Sequence, residues 1–467
     1  MGTPAFWLPG IGAVPTDAWR RDGEAGTAEI LTPRLSGDLL RRQMASLAEA
    51  REAALATRPI GRIVATIDAV ARRFLDSGDP LRREALRLLP IVTGYSPDMA
   101  ELTLDRMAAD WRQERLERLL AEELGDRAAL DHFVDLGPTS RRIHAVGPRV
   151  VFHVFSGNVP GVAVTSLVRA LLVKAASLGK TASGDPILPA LFARAIAEED
   201  AALGGCVAVA YWPGGTEALE TVALEVADTV VAYGSREAIE SIRGRVPPGR
   251  RLLEYGNRLS FAVVARESLS GGGSDDLAAD AALAVATFDQ HGCVSPHVIY
   301  VEAGGEVPPK QWARLVAEAL SRVEARLPRG PVTPGEAATI QQLRGHAEMA
   351  ALADAGIELH ASPGSTAWTL VFETDPTFDA SSLNRVVRVK PVESIEAVPG
   401  LVREFGPVLQ TVGMAGPEDR LAPVALELAR LGASRIAPLA EMPWPRPWWH
   451  HDGRPPLADL VRWCDWD

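Results

Sequence analysis

Cysteine is scarce. The 467-residue chain carries 3, Cys206, Cys293 and Cys464, too few and too scattered for a disulfide framework or a zinc site with short ligand spacing. A reducing cytoplasm is the expected compartment. Clustered Lys and Arg are also missing, and 48 basic against 60 acidic residues leave a formal charge of -12. This argues against nucleic acid as the main partner, because counterion release needs cations gathered on one face. There is no long apolar run. The most apolar stretch, 162–178, is interrupted by Arg169 and Lys174, and the opening Met1-Gly2-Thr3-Pro4-Ala5-Phe6-Trp7 lacks a basic start followed by an apolar core. Neither a membrane span nor a signal peptide is expected.

What is present is a 47% hydrophobic fraction, enough to fill two lobes of ordinary domain size. Residues 36–125 read as helical: Leu39, Leu40, Met44 and Leu47 recur at helix spacing, and Ile63, Ile67, Val70 and Phe74 do so again. Gly78-Asp79-Pro80 and Gly94-Tyr95-Ser96-Pro97 break that run. Turn signals at Gly137-Pro138 and Gly147-Pro148 suit a projecting hairpin over 132–148. From Arg149 the character changes. Apolar strands at 150–155, 176–183, 206–212, 228–233 and 259–264 alternate with helices, which predicts an α/β fold with a covered parallel sheet and ligands at the carboxyl ends of its strands. The stretch Ser268-Leu269-Ser270-Gly271-Gly272-Gly273-Ser274-Asp275-Asp276 is the most linker-like, and a domain crossover is expected near 257–276. A second alternating set follows to about residue 434. No internal repeat is visible.

The segment Phe288-Asp289-Gln290-His291-Gly292-Cys293-Val294-Ser295-Pro296-His297 sets one cysteine on a glycine-flanked turn between an Ala-rich helix and an apolar strand. A nucleophile would sit there, given donors for the oxyanion formed when it attacks a carbonyl; the competing reading of any single cysteine is a buried, inert thiol. Phe155-Ser156-Gly157-Asn158-Val159-Pro160-Gly161 ends a strand and opens a helix, and the Asn158 amide is an oxyanion donor or a turn and cap residue. Lys180, closing the next strand, is a ribose or phosphate contact or a solvated surface lysine. Gly234-Ser235 is another strand-to-helix turn where a diphosphate could approach backbone amides. Cys206 and Cys464 read as inert, and His291 and His297 have too few ligands nearby for a metal. The run Trp444-Pro445-Arg446-Pro447-Trp448-Trp449-His450-His451 would line an apolar channel or pack against a neighbouring lobe or subunit.

Together these pieces resemble the aldehyde dehydrogenase superfamily and, within it, the LuxC-type acyl-CoA reductases, from about Arg141 onward. The carriers are Ser156-Gly157-Asn158-Val159-Pro160, the 180–185 segment, Tyr211-Trp212-Pro213-Gly214-Gly215, Val230-Val231-Ala232-Tyr233-Gly234-Ser235, the 289–295 segment, Phe405-Gly406-Pro407-Val408-Leu409 and Arg435-Ile436-Ala437-Pro438. The resemblance implies two doubly wound α/β lobes: an N-terminal helical part (1–131), an oligomerisation hairpin (132–148), a Rossmann-like cofactor domain (149–260), a catalytic domain (261–434) and a C-terminal tail (435–467). It implies Cys293 as nucleophile, with Asn158 and the Cys293 backbone amide as the oxyanion hole. Lys180 and Ser183 would face the adenosine ribose, Gly234 and Ser235 would lie beneath the diphosphate, and Phe405 would lie with the cofactor. Ser183 stands where NAD-preferring members often carry a glutamate, so NADPH is preferred, with NADH as the alternative.

Two positions depart from the family pattern. Arg403 stands where a glutamate usually binds the nicotinamide ribose, with Glu404 one place late. Glu254 of Glu254-Tyr255-Gly256-Asn257 resembles the glutamate that activates water in aldehyde oxidisers, at a somewhat longer distance to the cysteine. The expected reaction is reduction of an acyl-CoA or acyl-carrier thioester to an aldehyde. Its rivals are aldehyde oxidation with Glu254 as base and a non-catalytic acyl-binding subunit. A homodimer or tetramer, and an acyl-transferring partner enzyme, are further expectations.

Overall fold

Strands β1 (Thr3–Pro4), β2 (Thr16–Gly23) and β3 (Gly26–Pro33) form a three-stranded sheet in the order β1-β3-β2. Burial of Ala28, Ile30 and Thr32 on alternate residues gives β3 its period of two. The expected helical N-terminal portion holds over 37–124, and the sheet ahead of it was not foreseen. The reason is that β2 is mostly exposed, so only one strand of the hairpin carries an apolar pattern. The computed structural model describes the chain except residues 1, 136–140, 271 and 354–355. It divides into two units: Met1–Gly256 with Arg446–Asp467, and Asn257–Pro445.

In the first unit the expected helices follow: α1 (Gly37–Ala50), α2 (Ile60–Leu75), α3 (Pro80–Thr93), α4 (Pro97–Asp110) and α5 (Gln113–Leu124). Ser36, Asp79 and Ser96 cap α1, α3 and α4 by accepting from backbone amides, and Gly94, at φ 79°, ends α3 in the left-handed conformation. After the short pair β4 (Val134–Asp135) and β5 (Arg142–Val146) comes the parallel alternation: β6 (Val150–Val154), α6 (Val162–Leu172), β7 (Ala176–Thr181), α7 (Leu188–Glu199), α8 (Ala201–Gly204), β8 (Val207–Tyr211), α9 (Glu217–Val226), β9 (Thr229–Tyr233), α10 (Arg236–Arg243) and β10 (Arg251–Tyr255). The five strands are all parallel in the order β10-β9-β6-β7-β8. Edge strand β10 was not expected, since Arg251 and Glu254 break its apolar pattern. The Gly137-Pro138 turn lies outside the described residues.

The second unit opens with β11 (Leu259–Val264), followed by α11 (Gly273–Ala286), β12 (Pro296–Glu302), α12 (Pro309–Arg326), α13 (Pro334–Ala353), β13 (Glu358–Ala361), β14 (Thr369–Phe372), β15 (Val386–Val392), α14 (Val398–Leu401), β16 (Leu409–Ala415), α15 (Glu418–Leu431) and β17 (Arg435–Pro438). Its seven-stranded sheet runs β13-β14-β15-β12-β11-β16-β17, parallel except that β13 pairs antiparallel with β14. Phe261, Tyr300, Val398, Leu409 and Val412 are at the centre of its core.

Three expectations change here. β11, read as continuing the first set of strands, belongs to the second sheet. The linker-like glycine stretch joins β11 to α11 inside the second unit. Of the tail expected at 435–467, β17 is an edge of the seven-stranded sheet, whereas β18 (Arg462–Trp466) pairs antiparallel with β5 in the first unit.

Candidate active site

In the first unit the singled-out residues gather at the carboxyl ends of parallel strands, as expected for such sheets. Asn158 lies exposed in the turn between β6 and α6, and its carbonyl accepts from the Tyr95 hydroxyl at 2.6 Å. That turn touches the next one backbone to backbone: a Cβ on Gly157 would come within 2.9 Å of Gly184 Cα, and one on Gly184 within 2.6 Å of the Gly157 carbonyl oxygen. Behind them is Asp185, 2% exposed. Its Oδ1 accepts from the Leu188 amide at 3.2 Å. Burial pushes its carboxyl up to about 7, against the opposing pull of the Leu188 and Gly161 amides. Sequence reasoning missed Asp185; its only signal was a Gly-Asp-Pro turn before a helix.

Lys180 is 7% exposed at the end of β7, which corrects the solvated-lysine alternative. Burial holds its ammonium below the usual lysine range, with Glu220 opposing. Its Nζ lies 5.8 Å from the centroid of the Trp212 ring. Beside it the buried Trp212 Nε1 and Thr181 Oγ1 have no hydrogen-bond partner. Ser183 is exposed in the turn after β7. Gly234 donates its amide to the Tyr255 carbonyl at 3.2 Å, and Ser235 Oγ caps α10 by accepting from the Ala238 amide at 3.3 Å. Glu254, on edge strand β10, is held by a guanidinium fork: Arg243 Nε and Nη2 each donate to one of its carboxylate oxygens at 2.7 Å.

In the second unit Cys293 is half-buried in the turn that enters β12, so it stands at the amino end of a strand, opposite to the general expectation. Its carbonyl accepts from Ser260 Oγ at 2.6 Å, and the same hydroxyl accepts from the Thr411 amide at 3.1 Å. Ser260 of β11 thus ties the turn to the head of β16. Gly292 has no room for a side chain, since a Cβ there would meet the Phe288 ring at 2.8 Å. His291 Nε2 and Asn384 Oδ1 are 3.0 Å apart. His297 Nδ1 accepts from the Ser381 amide at 3.0 Å, and burial pushes its pKa down to about 4, so the ring is neutral. Phe405 sits in the turn before β16 with its ring 4.7 Å from Phe378, packed against the core; Arg403 and Glu404 are exposed.

The other cysteines differ. Burial pushes the Cys206 thiol up to about 11, as an inert cysteine requires, and Cys464 lies on β18. No group of metal-ligating side chains occurs among the described residues, and no helix there is long and apolar enough to cross a membrane. The tryptophan run packs inside its own units. Trp444 meets Phe288 edge-on at 5.0 Å, and Trp449 stacks on His451, which stacks on Tyr255.

A sequence model of the acyl-CoA reductase (LuxC) family matches residues 55–463. The long-chain acyl-protein thioester reductase of Aliivibrio fischeri is 26% identical over 412 residues, covering 86% of this chain and 81% of that protein. Its counterpart in Vibrio harveyi is 24% identical over 408 residues, covering 86% and 82%. Among solved structures, aldehyde dehydrogenase 21 of Physcomitrella patens superposes with a TM-score of 0.75 at 12% identity, covering 100% of this chain and 98% of that one. The NADP-dependent glyceraldehyde-3-phosphate dehydrogenase of Bacillus halodurans gives 0.71 at 15% identity, covering 97% and 95%. With the family model matching most of the chain and the superposition extending over all of it, the chain belongs to the LuxC family of acyl-CoA reductases on the aldehyde dehydrogenase fold, an oxidoreductase acting on acyl or aldehyde groups.

Proposed function

We propose that this protein reduces an acyl thioester to the aldehyde with NADPH, through a covalent thioester on Cys293. The observation that carries the reading is the setting of Cys293: half-buried, on a turn whose carbonyl is pinned by Ser260, whereas Cys206 is sealed in the core. The Cys293 thiolate attacks the acyl carbonyl. The Asn158 amide and the Cys293 backbone N–H donate to the oxyanion, and such fixed donors are worth about 3 kcal/mol of barrier each. When the tetrahedral species collapses, the bond from carbon to the donor's sulfur breaks and the donor leaves as a thiolate, taking the charge that the Cys293 sulfur brought. After reduction of the enzyme thioester, the carbon–sulfur bond to Cys293 breaks in turn, releasing aldehyde and restoring the thiolate.

The cofactor supplies the hydride, and the first unit has residues that fit it. Lys180 offers a buried cation, Trp212 Nε1 and Thr181 Oγ1 are buried polar atoms lacking partners, and Ser183 adds no negative charge where a ribose phosphate would lie. Phe405 would pack its exposed edge near the nicotinamide. Water-dependent oxidation is the weaker reading, because the guanidinium fork of Arg243 ties the Glu254 carboxylate down on edge strand β10, whereas a general base must turn an oxygen to the water. Relatives are named for acyl-protein thioesters, so the donor here is an acyl group on CoA or on a protein thiol delivered by an acyl-transferring partner. Exposed Trp463 and Trp466 on edge strand β18 suit a subunit contact in a homodimer or tetramer.

The test is a panel of acyl-CoAs with NADPH or NADH, followed by loss of reduced-nicotinamide absorbance. NADPH should give the faster turnover, and Cys293→Ala should lower it at least 1,000-fold, an expectation scaled on loss of a nucleophile. Wild-type turnover by Cys293→Ala would remove the mechanism.

A further inference from the structure

Two stretches of the second unit carry backbone that L-residues avoid. Phe288, Asp289 and Gln290 have φ of 58°, 50° and 66°, and Leu383, Asn384 and Arg385 have 64°, 57° and 63°. None is glycine, so each triplet stores strain and persists only where its surroundings over-determine it. The first triplet ends three residues before Cys293. The second immediately precedes β15, the neighbour of β12 in the sheet.

The surroundings are built to hold them together. Asp289 Oδ1 accepts from Arg385 Nε at 3.0 Å and from Nη2 at 2.6 Å, while Asp289 Oδ2 accepts from the Gly330 amide at 3.1 Å. Arg385 Nη1 donates to Glu324 Oε2 at 2.7 Å and to the Leu327 carbonyl at 2.9 Å. Gln290 acts as a stretch of strand would: its Oε1 accepts from the Val386 amide at 2.9 Å, and its Nε2 donates to the carbonyls of Val386 at 2.7 Å and Pro296 at 2.8 Å. Ser381 Oγ sits 2.5 Å from the Val386 carbonyl and 3.2 Å from Gln290 Oε1, so its one proton serves the same junction. Arg385, Asp289 and Gln290 are 1%, 4% and 0% exposed, so the bracing is hidden from water and its ion pair is undiluted by solvent.

We infer that Asp289, Arg385 and Gln290 are positioning residues for the reduction: by locking one left-handed turn to the other they fix where Cys293 presents its sulfur and its backbone N–H. The inference rests on the reading of Cys293 as nucleophile. A misplacement of about 1 Å at a reacting atom can cost 100-fold in rate, so loosening the brace should lower kcat and leave substrate binding nearly unchanged. A buried ion pair of the same unit serves as control. Glu302, at the carboxyl end of β12 and 0% exposed, accepts from Arg266 and Arg420 at the opposite end of the strand from Cys293.

The experiment compares full-length Asp289→Asn, Gln290→Met and Glu302→Gln for kcat, KM, melting temperature and the pH profile of Cys293 alkylation by iodoacetamide. Asp289→Asn and Gln290→Met should each lower kcat at least 10-fold, change KM for acyl-CoA and NADPH less than 3-fold, and shift the alkylation profile. Glu302→Gln should lower the melting temperature comparably and leave kcat and the profile within 2-fold of wild type. Wild-type kcat and profile in either folded brace variant, or equal losses in Glu302→Gln, would overturn the inference. Should both brace variants fail to fold, Ser381→Ala, which removes one outer hydroxyl, decides on the same readouts. Cys293→Ala separates the two claims: if it retains turnover the nucleophile reading fails, and if it is dead while the brace variants are normal only the bracing fails.

Discussion

A carboxyl group shut away from water, Asp185, makes the plainest statement at the scale of the residue. Its folded pKa of about 7 lies above the 3.8 of an ordinary aspartate, so the folded protein keeps a proton that the unfolded chain has released between those values. Stability from this group is therefore present at low pH and falls as pH rises through about 7. Replacing Asp185 with Asn should remove that slope. Oδ1 keeps the Leu188 amide, and a neutral side-chain amide stands in for a carboxyl that burial keeps protonated up to about 7. In urea unfolding the variant should gain on wild type by a few kcal/mol between pH 5 and pH 8, by the rule of about 1.4 kcal/mol per pKa unit. A constant offset across that range would refute the assignment.

At the scale of the element, the ends of strands hold the charges that the strands themselves cannot carry. Glu302 closes β12. Burial raises its pKa, but the donors from Arg266 and Arg420 outweigh it and draw the carboxyl down to about 2. Because the folded value lies below the 4.5 of an ordinary glutamate, this stability exists above pH 4.5 and is lost as pH falls toward 2. Glu302→Gln should unfold more easily at pH 7, by about 2 kcal/mol for a lost charge-assisted pair, and show a shallower loss between pH 4.5 and 2, measured by circular dichroism.

Elements also explain what could be read in advance. β6, β7, β8 and β9 were legible because near-complete burial demands unbroken apolar runs. β10 was not, because an edge strand tolerates Arg251 and Glu254. The order of motifs around Asn158, Lys180, Gly234 and Cys293 could be read from residue types alone. The left-handed turns at 288–290 and 383–385 could not, because neither holds a glycine, the lone Asn384 is too weak a signal, and their partners lie 96 residues apart. The fork on Glu254 was hidden for the same reason: nothing local ties it to Arg243.

At the scale of the whole molecule, the second unit is one uninterrupted segment, Asn257–Pro445, set within the chain of the first. It has its own sheet and core. Expressed alone, it should fold cooperatively, giving a single urea transition and dispersed amide NMR signals, without reductase activity. Broad, non-cooperative melting of that fragment would show that it depends on the flanking chain.

The pairing of β18 with β5 joins residues more than 300 positions apart. A ribosome therefore synthesises all of Asn257–Pro445 before it makes the strand that pairs with β5. For that interval the nascent chain displays an open sheet edge, which is the state most exposed to mispairing. Slower synthesis near residue 446 would lengthen that interval, and a chaperone bound to the β5 edge would shelter it.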